Sequence, residues 1–207
     1  MSNSMVDRVY GAKSQDEQEA AYDEWSAQYE RDLCAMGYRL PAVAAAVFAR
    51  YVPVDGAPIL DAGCGGGLQA EPLATLGYGP ITGIDLSEGM LSVARSKGIY
   101  AELHRMALGG RLDFSDDSFA AVLSTGTITP GHAPAESFED LIRVTRPKAP
   151  IIFSLRSDAV QDPSYAETCD RLEAAGCWRH IFSTADFLPM PYSEPDIEAR
   201  VHVYEVV

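Results

Sequence analysis

The sequence predicts an α/β fold in which seven strands form one mostly parallel sheet with helices on both faces. Short apolar runs alternate with helical periodicity between residues 59 and 155, which is typical of parallel βαβ units with right-handed crossovers. A short loop joins the last two predicted strands, so they are expected to pair antiparallel as a C-terminal hairpin. Two helices precede the first strand, and we expect them to form a lid.

The lid helices are predicted from periodicity and proline placement. Residues 15–33 carry Tyr22, Trp25 and Tyr29 at i, i+3 and i+7, which places the three aromatic rings on one helical face. A second helix, residues 41–51, opens with a proline, which suits the first turn of a helix because its missing N–H needs no partner there. No strand is predicted before residue 54.

The first two βα units have clear boundaries. Residues 59–62 form a short apolar run that breaks into glycines, and residues 68–76 then follow a helical pattern. Residues 81–85 read as the second strand, Ser87 is a suitable N-cap, and Gly98 ends the helix that follows. The sequence therefore predicts strand, glycine loop and helix, followed by a second strand and helix.

The remaining elements follow by the same criteria. The predicted strands are 100–106, 119–124, 150–155, 178–187 and 199–206, and the predicted helices are 134–145 and 164–175. A proline-rich loop, residues 188–196, joins the last two strands and carries Tyr192 and Glu194. With the leading helices and the loop around His132, we expect it to form the wall around a substrate.

Composition limits the size and the partners of the protein. The chain has 207 residues, of which 47% are hydrophobic and 22% are charged, as is usual for a globular protein. We expect residues 1–207 to form one domain, with a helical lid (1–53) and a core (54–207). A net charge of −14 disfavours nucleic-acid partners, which bind basic surfaces. No apolar run approaches the roughly 20 residues that span a bilayer. We expect a cytoplasmic monomer or homodimer with no membrane partner.

The spacing of the cysteines argues against a zinc site and against disulfide bonds. The four cysteines form no Cys-x-x-Cys pair and no cluster with histidine, so neither a zinc site nor a disulfide framework is predicted. We therefore expect no bound metal.

The glycine-rich loop is the most informative stretch. Glycines allow sharp turns and close approach to a ligand, and the following helix offers free N–H groups. The dinucleotide fingerprint needs glycines at offsets 0, 2 and 5; Gly63 and Gly65 fit, but Leu68 stands at the third position. A pyrophosphate is therefore disfavoured, and without a Gly-Lys-Ser/Thr sequence a P-loop is excluded as well.

Two carboxylates further limit which ligands the loop could bind. Asp61, two residues before the loop, would repel a pyrophosphate but can hold an ammonium group, directly or through water. Asp85 closes the second strand 20 residues after Gly65, where a carboxylate accepts both ribose hydroxyls of an adenosine. An adenosine without phosphates and with a cationic end describes S-adenosylmethionine.

From Tyr22 to the end, the sequence resembles the class I S-adenosylmethionine-dependent methyltransferases, in particular the small methyltransferase-like proteins of the Williams-Beuren syndrome region type. This resemblance implies a Rossmann-like fold and methyl transfer to a small-molecule acceptor, with S-adenosylhomocysteine as the product. It places Gly63 and Gly65 beside the methionine part and Asp85 on the ribose. The other positions it places against the cofactor are Tyr22, Trp25, Leu68, Leu86, Met90, Met106, Ala107, Leu108, Thr125 and Gly126.

Two positions depart from the family pattern. Such enzymes commonly have Thr or Ser where Gly66 stands, and Asp where Ala107 stands. These departures leave open a catalytically silent protein that binds S-adenosylmethionine or S-adenosylhomocysteine, and an NAD-dependent oxidoreductase is a weaker alternative. For an active enzyme, His132 is the candidate general base, because its loop follows the fourth strand on the substrate side.

Overall fold

The computed structural model describes residues 8–9, 11–12, 14–158 and 162–207. The helices of this part of the chain are α1 (Gln15–Trp25), α2 (Tyr29–Ala35), α3 (Leu40–Tyr51), α4 (Ala70–Thr75), α5 (Glu88–Lys97), α6 (Ser137–Val144) and α7 (Ser164–Ala174). Its strands are β1 (Ile59–Ala62), β2 (Ile81–Asp85), β3 (Glu102–Arg105), β4 (Ala121–Ser124), β5 (Pro150–Arg156), β6 (Trp178–Ser183) and β7 (Ala199–Val206).

The seven strands form one sheet in the order β3-β2-β1-β4-β5-β7-β6. The first five are parallel, whereas β7 runs antiparallel to both β5 and β6, which confirms the predicted mostly parallel sheet and its antiparallel C-terminal pair. Strand order reverses between β1 and β4, because Ile59 pairs with Ile81 on one side and with Ala121 on the other. Ligands of open α/β sheets bind at the carboxyl ends of the strands beside such a reversal.

Apolar layers cover both faces of the sheet. On one face, Phe138 of α6 packs against Phe153 of β5, whose ring stacks on Trp178 at 5.8 Å and 8° between planes. On the other face, Phe48 of α3 meets Tyr78 edge to face at 5.2 Å. Each fully buried aromatic ring of this kind contributes about 1.5–3 kcal/mol from burial alone. These layers make the strand ends a rigid platform for the site.

The N-terminal helices differ in one respect from the prediction. The predicted helix over residues 15–33 is divided into α1 and α2 by a turn at residues 26–28. Trp25 closes α1, and its indole N–H donates to Asp32 Oδ2 at 2.7 Å, which links α1 to α2. The aromatic spacing continues across this turn because Ser26 keeps helical dihedral angles, with φ −48° and ψ −42°.

Helix α3 packs on the sheet and contributes Leu40, Ala44, Val47 and Phe48 to the buried layer. Within the described parts of the chain, no single helix is long and apolar enough to cross a membrane. Helices α2 and α3 meet that criterion only as a pair that is bent by 92°.

Strand boundaries in the last third also differ from the prediction. Strand β6 ends at Ser183, four residues earlier than expected, and its pairing with β7 is interrupted by a register shift between His180 and Phe182. The connection to β7 is therefore longer than predicted and spans residues 184–198. It crosses the carboxyl end of β5, where Pro189 accepts a hydrogen bond from the Arg39 N–H at 2.9 Å.

Candidate functional site

The loop after β1 depends on glycine at defined positions. Gly63, Gly65 and Gly67 have φ values of +82°, +52° and +96°, a region that favours glycine. A Cβ atom on Gly63 would lie 2.3 Å from the Thr127 side chain, whereas a Cβ on Gly65 would meet no atom within 4 Å. Gly63 is therefore required by packing, while Gly65 leaves open the space above the loop.

Asp85 holds this loop to the end of β2. Its Oδ2 accepts the Gly65 N–H at 2.8 Å, and its Oδ1 accepts the Ser87 N–H at 2.9 Å. Burial raises the pKa of this carboxyl, and the backbone hydrogen bonds oppose that rise. Each carboxylate oxygen keeps a second lone pair, so Asp85 can still accept hydrogen bonds from a ligand.

Asp61 lies below the loop and does not reach the space above it. Its side chain is 1% exposed, and Oδ2 accepts the Tyr100 hydroxyl hydrogen at 2.7 Å. Burial raises the pKa of Asp61 to about 7. Asp61 pairs with Tyr100 within a strand whose four residues are all buried, and its Oδ1 has no hydrogen-bond partner among the described residues. A contact between Asp61 and an ammonium group, directly or through water, stays a prediction.

A cavity opens above the glycine loop and encloses about 800 Å³, including its opening to solvent. Its wall contains the predicted cofactor-contacting residues except Trp25 and Asp61, namely Tyr22, Gly63, Gly65, Leu68, Asp85, Leu86, Met90, Met106, Ala107, Leu108, Thr125 and Gly126. Sequence reasoning missed Gln18, Tyr38, Cys64, Gln69 and Ala133 on the same wall, which also contains Tyr29 of the predicted aromatic lid face. We name this space the first cavity.

The first cavity has the features that S-adenosylmethionine requires. Thr125 is 2% exposed, and its Oγ1 has no hydrogen-bond partner among the described residues. Apolar Leu86 and Met90 lie beside the Asp85 carboxylate on the same wall, which suits an adenosine with its ribose on Asp85.

The first departure from the family pattern has a structural reason. A Cβ on Gly66 would lie 3.0 Å from Glu30 Oε1 of α2 and 3.2 Å from Val93 Cγ1 of α5. Glu30 also forms an ion pair with Lys97 at 2.5 Å, in which the lysine side chain is only 12% exposed. Glycine at position 66 therefore allows α2 to approach the loop closely. Ala107 lies on the cavity wall without a comparable reason.

Helix α1 is attached on both sides of the first cavity. Asp23 Oδ1 accepts the Ser87 hydroxyl hydrogen at 2.5 Å and the Gly89 N–H at 2.8 Å, so it caps the start of α5. On the other side, Gln18 Nε2 donates to the Gly131 carbonyl at 2.5 Å. Helix α1 therefore covers the carboxyl ends of the strands, as predicted for a lid.

A second cavity adjoins the first beneath helices α1 and α2. It encloses about 740 Å³, including its opening, and shares Tyr22, Tyr29, Tyr38, Gly126 and His132 with the first cavity. Trp25 lines this second cavity, not the first. Its indole packs edge to face on Tyr29 at 4.7 Å, which turns it away from the glycine loop.

His132 stands at the boundary of the two cavities. Its Nε2 lies 2.7 Å from the Tyr22 hydroxyl. Burial lowers the pKa of His132, and a hydrogen bond with the Pro130 backbone opposes that shift. The imidazole is therefore neutral at neutral pH and able to accept a proton.

The connection between β6 and β7 contributes differently from the prediction. Pro189, Met190 and Ile197 line the second cavity. Tyr192 is 74% exposed and packs against Gly37 instead, where a Cβ would lie 2.6 Å from its ring. Neither Tyr192 nor Glu194 belongs to the wall of either cavity.

The strand order and the carboxylate that closes β2 beside a glycine loop are those of Rossmann-like methyltransferases, in which S-adenosylmethionine occupies the strand ends. Residues 60–153 match the family model described as a methyltransferase domain. The fold resembles a TehB-like S-adenosylmethionine-dependent methyltransferase from Corynebacterium glutamicum, with a TM-score of 0.66, 21% identity, and coverage of 91% of this chain and 100% of that chain.

Two proteins of similar sequence support the assignment to the methyltransferases. Methyltransferase-like protein 27 from Homo sapiens is 34% identical over 167 residues, which cover 77% of this chain and 67% of the human protein. A ubiquinone biosynthesis O-methyltransferase from Alkalilimnicola ehrlichii is 33% identical over 105 residues, which cover 49% of this chain and 42% of that enzyme. The chain thus spans less than half the length of the bacterial relative. It belongs to the class I S-adenosylmethionine-dependent methyltransferases.

Proposed function

We propose that this methyltransferase transfers a methyl group to a small-molecule acceptor by in-line displacement. The observation that carries the proposal is the second cavity, which adjoins the first and shares Tyr22 and His132 with it. The O-methyltransferases of ubiquinone biosynthesis among its relatives support a small-molecule acceptor. The acceptor would lie in the second cavity, and S-adenosylmethionine in the first.

The residues that would hold the cofactor follow from the wall of the first cavity. The loop at Gly63 and Gly65 would lie beside the methionine part, and Asp85 would accept hydrogen bonds from the ribose hydroxyls. Leu86 and Met90 would flank the adenine, and the segment 106–108 would face its edge. When bound, S-adenosylmethionine supplies an electrophilic methyl group on its sulfonium sulfur.

His132 is proposed as the general base. The Tyr22 hydroxyl, 2.7 Å from Nε2, marks a position from which a hydroxyl can give its proton to the imidazole. An acceptor hydroxyl that replaces the Tyr22 hydroxyl at this position would lose its proton to Nε2 as it is methylated. Burial lowers the pKa of the imidazole and so favours its neutral form, and the remaining contribution of the protein is positioning.

Domain organisation and surroundings stay predictions at this level. We propose one domain over residues 1–207, with a helical lid (1–53) and a core (54–207). Within the predicted lid, α1 covers the strand ends, whereas α3 packs on the sheet. A cytoplasmic location, a monomeric or homodimeric state, and the lack of nucleic-acid and membrane partners stay predictions from the sequence. The oxidoreductase alternative has no support from the family match, and the methyltransferase-named relatives favour an active enzyme over a silent binding protein.

The proposal is tested by release of S-adenosylhomocysteine when the protein and S-adenosylmethionine are mixed with a panel of phenols, carboxylic acids and amines. We expect turnover with at least one small molecule of the panel, and we expect His132→Ala to reduce that turnover. Binding of S-adenosylhomocysteine without turnover on any member of the panel would contradict the small-molecule proposal.

A further inference from the structure

The charge of the second cavity differs from that of the protein as a whole. The chain has 30 acidic and 16 basic residues, but the described residues that line this cavity include Arg156 and no aspartate or glutamate. Much of the remaining wall is apolar, with Leu33, Leu155 and Met190 among its members. An ammonium group would therefore find no charge partner inside, and burying it would be costly.

Arg156 is held in a fixed orientation by one carboxylate. Its Nε donates to Asp158 Oδ2 at 3.0 Å, and its Nη2 donates to Asp158 Oδ1 at 2.9 Å. The arginine side chain is 20% exposed, so most of it is enclosed. Asp158 uses one edge of the guanidinium, and among the described residues no acceptor lies on Nη1. The free edge can receive a second carboxylate in the same plane.

A further polar group lines the same cavity. Thr129 is 6% exposed, and its Oγ1 has no hydrogen-bond partner in the described part of the chain. Buried hydroxyls are normally paired, so a group without a partner in the protein is a candidate contact for a ligand. Ser154, two residues before Arg156 on β5, lies on the same side of the sheet and also lines the cavity.

We propose that the second cavity binds an apolar, ring-containing hydroxy acid, with its carboxylate against Arg156 and its hydroxyl facing His132. This inference rests on the proposed function in taking the second cavity as the acceptor site. The apolar wall accommodates the ring, Arg156 pairs with the acid, and the imidazole of His132 accepts the hydroxyl proton. A phenol without the acid would leave the Nη1 edge of Arg156 without a carboxylate partner.

The experiment measures binding, separately from turnover. The full chain, saturated with S-adenosylhomocysteine, is titrated calorimetrically with 3-(4-hydroxyphenyl)propanoate, with its amide, and with tyramine. We expect the acid to bind at least about tenfold more tightly than the amide, since a charged acceptor strengthens the bond to a guanidinium. Tyramine should bind more weakly than either.

Three variants assign the effect to Arg156. Arg156→Gln should weaken binding of the acid at least about tenfold, leave the amide nearly unchanged, and keep the affinity for S-adenosylhomocysteine within about threefold. The double variant Arg156→Gln with Asp158→Asn removes the whole pair and keeps the test valid if the single variant fails to fold. Arg200→Gln is the matched control, because Arg200 forms a similar two-point pair with Asp186 outside both cavities.

The outcomes separate this inference from the proposed function. Equal affinity for acid and amide, tighter binding of tyramine, no binding of the acid, or unchanged binding to a folded Arg156 variant each overturns the inference. Binding of the acid that depends on Arg156, without methyl transfer to any small molecule, would support the site and contradict the proposed function. Turnover on an amine that binds more tightly than the acid would support the proposed function and contradict this inference.

Discussion

The Tyr22 hydroxyl lies 2.7 Å from His132 Nε2, and this contact joins helix α1 to the loop after β4 where the two cavities meet. The two rings also lie edge to face, with centroids 5.8 Å apart. Because burial lowers the pKa of His132, the neutral imidazole can accept a proton from a hydroxyl placed beside Nε2. The contact therefore ties helix α1 to the proposed base, and an acceptor hydroxyl would have to replace the Tyr22 hydroxyl at Nε2.

His132→Ala should separate catalysis from cofactor binding. We expect kcat to fall by about 10²–10⁴, the range for a lost general base, while the affinity for S-adenosylhomocysteine stays within about threefold. Steady-state kinetics and calorimetry measure the two quantities. His104→Ala is the matched control, because His104 pairs with Glu102 outside both cavities. Turnover near that of the wild type would limit His132 to a structural contact.

The pH dependence of kcat should show the state of His132. A base must be neutral to act, so activity is lost as pH falls through the pKa of the imidazole in the complex. Because burial lowers that pKa, the loss should occur below the ordinary value of about 6.5. His132→Ala should lack this acidic limb. A wild-type profile that keeps falling from pH 8 to pH 7 would contradict the assignment.

Asp61 should make the fold less stable as pH rises. Its folded pKa of about 7 exceeds the unfolded value near 3.9, so the folded state binds the proton more tightly. The contribution is present at low pH and is lost between about pH 4 and pH 7, by up to a few kcal/mol. Tyr100 donates to the carboxylate, and the nearby Asp85 raises the pKa further.

Urea unfolding of wild type and Asp61→Asn at pH 5 and pH 8 measures this contribution. Asparagine keeps an oxygen for the Tyr100 hydroxyl and cannot ionise. The wild type should lose more stability than the variant between the two pH values, and equal losses would show that Asp61 does not titrate in this range.

Two neighbouring glycines should respond differently to alanine. Gly63→Ala places a Cβ 2.3 Å from Thr127, so it should destabilise the fold by more than about 2 kcal/mol. Gly65→Ala meets no atom, and its cost should be near the 1–2 kcal/mol of a positive φ, with weaker binding of S-adenosylhomocysteine. Thermal unfolding and calorimetry distinguish them. Intact cofactor binding by Gly65→Ala would place the ligand away from this loop.

The sequence predicted the parts of the site that are local in the chain. Gly63, Gly65 and Asp85 belong to two consecutive βα units, and parallel strands in sequence order bring their ends together. Strand and helix types were predictable because their periodicity extends over several residues. The sequence pattern predicted that the last two strands pair with each other. It did not predict which of them lies next to β5, and the structure places β7 between β5 and β6.

Other parts of the site depend on contacts that no local pattern contains. The aromatic face of residues 22–29 predicts burial, but the turn at residues 26–28 decides that Trp25 faces the second cavity. Arg156 and His132 lie on the same cavity wall only because β5, the β4 loop and the lid converge. Tyr100 pairs with Asp61 across 39 residues, and a tyrosine just before β3 gives no signal of this contact.

Calorimetric titration with S-adenosylhomocysteine tests most directly whether the first cavity holds the cofactor on Asp85. The wild type should bind it, and Asp85→Asn should lose about 1.5–3 kcal/mol of affinity, because charge-assisted bonds to two hydroxyls are removed. Some loss of thermal stability should accompany this change, since Asp85 also accepts the Gly65 and Ser87 N–H groups. Asp186→Asn is the control, because Asp186 pairs with Arg200 outside both cavities. Tight binding by wild type and Asp186→Asn with a weakened Asp85→Asn is the predicted result. Equal affinity in all three folded proteins would contradict it.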